Sequence, residues 1–183
     1  MSTTAMVVIG LILLLLVIAA IVLYLRERTQ HLRDRFGPEY GRAVEEAGGA
    51  HDAESQLRAR IDRVRKYGLR PLSASERDRF AADWRQIQAR FVDDPRDAAT
   101  QADNLLGQVM TARGYPAGDF DQRLEDLSVD HAQLVQDYRG AHDVVERHAR
   151  GAASTEDVRQ AMISYRALFD ELVGSPAPLR AAS

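Results

Sequence analysis

The chain has 183 residues, with 24 basic and 27 acidic side chains, so its formal net charge at neutral pH is −3. It contains no cysteine, which excludes disulfides, thiolate metal ligands and cysteine nucleophiles. All basic residues except Lys66 are arginines, a bias that we interpret as the coding background of a GC-rich genome. Any chemistry must therefore come from other side chains.

An uncharged apolar run begins the chain. Residues 5–25 are almost entirely Leu, Ile, Val and Ala. As a helix the run would be about 31 Å long, close to the ~30 Å hydrocarbon thickness of a bilayer. A cleavable signal peptide would have a basic start, a shorter apolar stretch and small residues at a cleavage site, and all three are missing. The sequence therefore predicts a retained transmembrane helix after an N-terminal tail at residues 1–4.

Charges beside the run predict its orientation. Arg26, Arg28, Arg33 and Arg35 follow the run closely, whereas the N-terminal side carries only its α-amino group. Because basic residues near a span stay cytoplasmic, we expect a single-pass protein of the cell membrane with its N-terminus outside and its helical domain in the cytoplasm. An outward-facing domain is the alternative, which the absence of cysteine permits and the arginines disfavour.

Charge is unevenly distributed over the rest of the chain. Residues 26–70 carry a net charge of +3 and residues 71–183 a net charge of −6. Such polarity suits a domain standing on an anionic leaflet, although ordinary charge scatter on solvated helix faces is the alternative. The acidic distal part argues against nucleic acid as a partner. The possible lipid-facing basic residues are Arg26, Arg28, Arg33, Arg35, Arg58, Arg63 and Lys66.

Residues 26–70 read as a basic juxtamembrane helical segment. Helix can continue from the span to an elbow at residues 36–38, where a Gly-Pro pair punctuates the pattern. A second interruption follows at Gly48 and Gly49. Residues 52–67 then form a helical pattern with a narrow apolar stripe and many arginines.

Residues 71–173 show the pattern of a helical bundle. Ser73 and Glu76 have the spacing of a capping box, and Asp94 precedes a proline as a helix cap would. We expect Asp130 to cap the next long helix and Ser154 to begin the last one. The strongest core stripe consists of Phe80, Trp84, Ile87 and Phe91.

No window shows the alternation of a strand. The predicted fold class is therefore all-α, with one N-terminal transmembrane helix followed by a soluble bundle of about four longer helices plus short ones. We expect residues 174–183 to form a disordered tail.

Six short sequence blocks, in the order in which they occur, carry a resemblance to other proteins. They are Arg35-Phe36-Gly37-Pro38-Glu39-Tyr40, Leu69-Arg70-Pro71-Leu72-Ser73, Arg90-Phe91-Val92-Asp93-Asp94-Pro95, Arg113-Gly114-Tyr115-Pro116, Leu127-Ser128-Val129-Asp130-His131 and Tyr165-Arg166-Ala167-Leu168-Phe169. In these blocks the chain resembles an uncharacterised family of bacterial proteins from high-GC genomes that carry one N-terminal span and a C-terminal helical domain. The resemblance implies that architecture and brings no activity, ligand or catalytic residue.

No residue pattern predicts catalysis, a metal or a cofactor. Of the five histidines, only His142 shares a helix face with a carboxylate, that of Glu146, and a metal ion would need a further ligand. A packed, hydrogen-bonded His142 is the commoner outcome. The adjacent pairs Asp93-Asp94 and Asp130-His131 coincide with helix starts, where capping explains them.

Two hypotheses about function remain open. The first is a membrane-anchored helical interaction or scaffold module that contacts anionic headgroups and other proteins. The alternative is a membrane-tethered enzyme or ligand-binding domain with a pocket between helices. Its possible lining residues are Trp84, Tyr138 and His142.

Overall fold

The computed structural model describes the backbone of residues 3–174 and the side chains of residues 11–24 and 26–174. Within that range helices are the only regular secondary structure, which confirms the all-α class. The helices are α1 (Thr3–Phe36), α2 (Pro38–Ala47), α3 (Ala50–Arg65), α4 (Ala74–Arg90), α5 (Pro95–Arg113), α6 (Phe120–Leu127), α7 (Ala132–Ala149) and α8 (Thr155–Gly174). Of the predicted tail, residues 175–183 lie outside the described residues.

The first helix contains the apolar run. Its backbone is helical without a break from Thr3 to Phe36. Within the described residues no helix has an apolar stretch long enough to cross a membrane. The side chains of residues 5–10 and 25, which are part of the predicted span, lie outside the described residues. The transmembrane helix therefore stays a prediction.

Local capping chemistry explains where several helices begin. The Ser73 hydroxyl accepts from the Glu76 amide while the Glu76 carboxylate accepts from the Ser73 amide, which confirms the capping box. Asp94 accepts from the amide of Asp97, as predicted. The prediction that Asp130 caps α7 was wrong, because the N-cap of α7 is His131 and the helix begins at Ala132. The Asp130 carboxylate instead accepts a hydrogen bond from Arg35 at 3.1 Å.

The four longer helices α4, α5, α7 and α8 enclose the main apolar core. Trp84 of α4 and Phe169 of α8 stack with ring centroids 4.8 Å apart. Tyr138 of α7 and Tyr165 of α8 meet edge to face at 5.8 Å. All four rings are almost completely buried, so the predicted aromatic stripe of α4 is part of a closed core.

The end of α1 joins α2 and α3 in a second, smaller core. The chain turns at Gly37, whose φ of +48° suits glycine. A Cβ at that position would lie 2.9 Å from the side chain of Gln133, so α7 packs closely against the turn. The buried side chains of this core are Leu32, Phe36, Tyr40, Ala43, Ala53, Leu57, Ile61, Val64 and Val129. Since Val129 lies between α6 and α7, the small core also contacts the bundle.

Ion pairs hold the small core against the bundle at two places. Arg63 of α3 donates to Glu125 at 2.7 Å and to Asp126 at 3.0 Å, both on α6. Glu39 of α2 is buried and accepts from Arg139 of α7 at 3.1 Å. Because these pairs join helices far apart in sequence, they fix the orientation of residues 32–65 relative to the bundle.

Candidate functional site: a basic cleft between α1 and α3

A cleft of about 260 Å³ opens between α1 and α3, just beyond the apolar run. Both walls use the same helical spacing, in which residues i, i+3, i+4 and i+7 share one face. The cleft is lined by Arg28, His31, Leu32 and Arg35 from α1 and by Arg58, Ile61, Asp62 and Arg65 from α3. It therefore combines four guanidinium groups with one carboxylate over two apolar side chains.

Two of the four arginines are held in place by the fold. Arg35 donates to the carbonyl of Val129 at 3.0 Å and to the carboxylate of Asp130 at 3.1 Å. Arg58 donates to the carboxylate of Glu54 at 2.8 Å. Glu54 also accepts from the hydroxyl of Thr29 on α1 at 2.8 Å, so this carboxylate ties the two walls together.

The other two arginines are exposed. Arg65 lies 3.6 Å from Asp62, and both side chains are about two-thirds exposed, at 64% and 66%. Such an exposed pair is weak in water. Among the described residues no carboxylate lies within salt-bridge distance of Arg28. The cleft therefore has two fixed guanidinium groups and two that can reorient toward a ligand.

The two walls run in the same direction. At one end Thr29 of α1 contacts Glu54 of α3. At the other end Arg35 of α1 reaches Asp130, and Arg63 of α3 reaches Asp126. Side chains on a helix tilt toward its N-terminus, and Arg58 and Arg65 accordingly contact Glu54 and Asp62, about one turn closer to the N-terminus of α3.

The remaining sequence-predicted basic residues lie elsewhere. Arg26 and Lys66 are exposed. The guanidinium of Arg33 lies 5.2 Å from the ring centroid of Tyr40. Arg63 is engaged by Glu125 and Asp126. Of the seven predicted basic residues, the cleft therefore brings together Arg28, Arg35 and Arg58.

The cleft also contains residues that the sequence prediction did not single out. Arg65 and His31 complete its basic lining. The signal that could have found them is the repeated spacing itself, since Arg28 and Arg35 are seven residues apart on α1 and Arg58 and Arg65 are seven apart on α3.

The three predicted pocket residues fall in two neighbourhoods. Trp84 is 1% exposed and its indole stacks on Phe169. A cleft of about 270 Å³ between α4 and α8 reaches Trp84 and is bordered by Met162 and Ile163. Trp84 is thus chiefly a core side chain.

Tyr138 and His142 meet around a carboxylate of α5. The Tyr138 hydroxyl donates to Asp103 at 2.7 Å, and His142 Nδ1 lies 4.0 Å from the same carboxylate oxygen. Arg123 binds the other oxygen of Asp103 at 3.1 Å. Phe120 covers the His142 ring with centroids 3.6 Å apart. The His142 ring is packed against Phe120, as the sequence interpretation expected, while its nitrogens lie 4.0 Å from Asp103 and 3.5 Å from Glu146.

Protonation supports a structural role for this cluster. Burial, with the Asp103 carboxylate next to it, raises the pKa of the Tyr138 hydroxyl above its usual range. Tyr138 therefore stays protonated and acts as a hydrogen-bond donor. His142 Nε2 lies 3.5 Å from Glu146, yet within the described part of the chain no three His, Asp or Glu side chains are grouped closely enough to hold a metal ion.

Comparison with known proteins assigns no family to the chain. No family model, no curated protein and no solved structure matches it.

Proposed function

We propose that the chain is a single-pass membrane protein whose helical domain is a cytoplasmic interaction or scaffold module. The apolar run at residues 5–25 is its anchor, with the N-terminus outside. The domain contacts the anionic leaflet through its basic, membrane-proximal part. It presents the acidic bundle to other proteins.

One observation carries this proposal: the helix that contains the apolar run is built into the domain. The α1 helix continues without a break to Phe36, and its last turns bury Leu32 and Phe36 in the small core. The small core is in turn joined to the bundle through Arg63 and Glu39. A flexible linker would let a tethered domain swing, whereas this arrangement supports a domain held at a fixed height.

Two exposed apolar side chains of the bundle support an interaction role. Val92, directly after α4, is 85% exposed, and Ile163 of α8 is 48% exposed. Among the described residues these are the exposed large apolar side chains outside α1. Ile163 lines the cleft between α4 and α8 near Trp84, and Val92 directly follows Phe91, another residue that lines it.

Reporter fusions test the anchor and its orientation. We expect alkaline phosphatase fused after Ser183 to be inactive in a bacterial host, because the arginines keep the domain in the cytoplasm. A fluorescent protein at the same position should be fluorescent, and the fusion should stay in the membrane pellet after an alkaline wash. Strong phosphatase activity would contradict the proposed orientation, and release of the fusion by the wash would contradict the proposed anchor.

Site-specific photocrosslinking in cells tests the interaction role. We expect a photoreactive residue at Val92 of the full chain to give a discrete adduct with one defined protein. Gln136 is a matched control position, since it is exposed and polar on α7. The proposal fails when Val92 and Gln136 give the same set of adducts, or when Val92 gives none.

A further inference from the structure

We infer that the basic cleft between α1 and α3 is a binding site for the phosphate of an anionic lipid headgroup. The inference rests on the proposed anchor, because the anchor places the cleft beside the leaflet. It adds a defined site, a ligand class and a small set of residues to a general contact with the membrane.

The cleft lies next to the predicted end of the apolar run. Arg28 lies three residues beyond Leu25, or about 4.5 Å along a continuous helix, and Arg35 lies about 15 Å along it. A headgroup layer is on the order of 5–8 Å thick on each side of a bilayer. The Arg28 end of the cleft therefore coincides with the headgroup layer. The Arg35 end lies beyond that layer, on the side away from the apolar run.

The direction of the two helices determines where the side chains of the cleft tilt. α1 and α3 run the same way, so the side chains of both walls tilt toward the apolar run. Arg58 shows this tilt directly, because its guanidinium bonds Glu54, one helical turn closer to the N-terminus of α3. The mouth of the cleft that faces the leaflet is thus lined by cations.

The side chains that line the cleft suit a phosphate group. A guanidinium presents paired N–H donors that match two oxygens of a phosphate. Arg35 and Arg58 are held by protein oxygens, while Arg28 and Arg65 lie exposed at opposite ends of the cleft. Leu32 and Ile61 form a mostly buried apolar floor beneath the arginines. The position of the cleft beside the predicted anchor favours a lipid phosphate over a free phosphate ion.

The net charge of the cleft favours an anionic lipid headgroup over a zwitterionic one. The cleft residues include one carboxylate, Asp62, and Glu54 and Asp130 lie beside the two fixed arginines. An excess of cationic groups remains when all three carboxylates are counted against Arg28, Arg35, Arg58 and Arg65. A zwitterionic headgroup would bring its own cation into this field, so an anionic headgroup is preferred.

Native mass spectrometry of the full chain released from nonionic detergent tests the site. The probes are phosphatidylglycerol, phosphatidylcholine of the same chain length, and inorganic phosphate. We expect phosphatidylglycerol to bind tightest. The double variant Arg28→Gln with Arg65→Gln should bind it about tenfold more weakly or worse, because the cleft loses both guanidinium groups that can reorient toward the phosphate. Both side chains are exposed, so helix content by circular dichroism should not change.

A second double variant, Arg85→Gln with Arg96→Gln, is the control. It removes the same charge from exposed positions on α4 and α5. We expect it to bind phosphatidylglycerol like the parent chain. Equal weakening in both double variants would reduce the effect to overall charge and overturn the inference. Equal binding of phosphatidylcholine, or preference for inorganic phosphate, would also overturn it.

The same variants separate this inference from the proposed function. When the chain stays in the membrane pellet after an alkaline wash but the cleft variant binds phosphatidylglycerol normally, the cleft inference fails and the anchor stands. When the parent chain is washed out of the membrane, the anchor itself fails.

Discussion

Replacing Glu39 with Gln should destabilise the domain by about 2–3 kcal/mol, because it removes a buried carboxylate that is the counter-charge of the half-buried Arg139. The Glu39 side chain is 3% exposed. Its Oε1 atom lies 3.1 Å from Arg139, 3.4 Å from Arg42 and 3.9 Å from Arg60. Arg139 has no other salt bridge among the described residues, so it loses the most. Gln keeps the shape of the side chain and removes only its charge.

Denaturant unfolding of the full chain in detergent measures this loss. Trp84 is the only tryptophan and is buried in the bundle, so its fluorescence reports the transition. Glu46→Gln is a matched control on the same helix, since Glu46 pairs with Arg42 but is 49% exposed. We expect at most ~0.5 kcal/mol for Glu46→Gln. Similar losses for both variants would contradict the role given to Glu39.

Local sequence signals predicted the helices well because their causes are local. The Ser73 capping box needs only Glu76, three residues away, and Asp94 needs only the amide of Asp97. Each bond is made within one helical turn, so the sequence alone specifies it. The all-α class follows from the same local patterns.

The error at Asp130 has a non-local cause. Its carboxylate is used by Arg35, which is 95 positions earlier in the chain. A side chain that can cap a helix can equally accept from a guanidinium, and a single sequence does not show which donor arrives. The sequence pattern predicted the type of interaction but not the partner.

One part of the candidate site could likewise be predicted from the sequence, and the other part depends on the fold. Proximity of Arg28 and Arg35 to the apolar run is visible in the sequence, and so is the basic character of α3. The sequence shows an interruption at Gly48 and Gly49, but not that the chain reverses there. The reversal makes α3 run the same way as α1 and brings Arg58 and Arg65 to the same cleft. The engagement of Arg63 with α6 is equally a tertiary fact. Composition therefore predicted a basic region, and only the fold defines a site within it.

Replacing Trp84 with Ala should cost about 3–5 kcal/mol, the range for removing a buried aromatic side chain from a core. Its indole stacks on Phe169, and the guanidinium of Arg166 lies 5.6 Å from its ring centroid. Truncation removes both contacts and opens a void between α4 and α8. A side chain that mainly lined an open ligand pocket would cost far less, so the size of the loss separates a core residue from a pocket residue.

Circular dichroism must follow unfolding in this case, because the variant has no tryptophan. Val92→Ala, directly after α4, is the control, and its 85% exposure limits the expected change to ~0.5 kcal/mol. Trp84→Phe should fall between the two, since it keeps an aromatic ring against Phe169 but buries less apolar area. A loss below ~1 kcal/mol for Trp84→Ala would show that the indole contributes little packing, and would return Trp84 to the candidates for a ligand pocket.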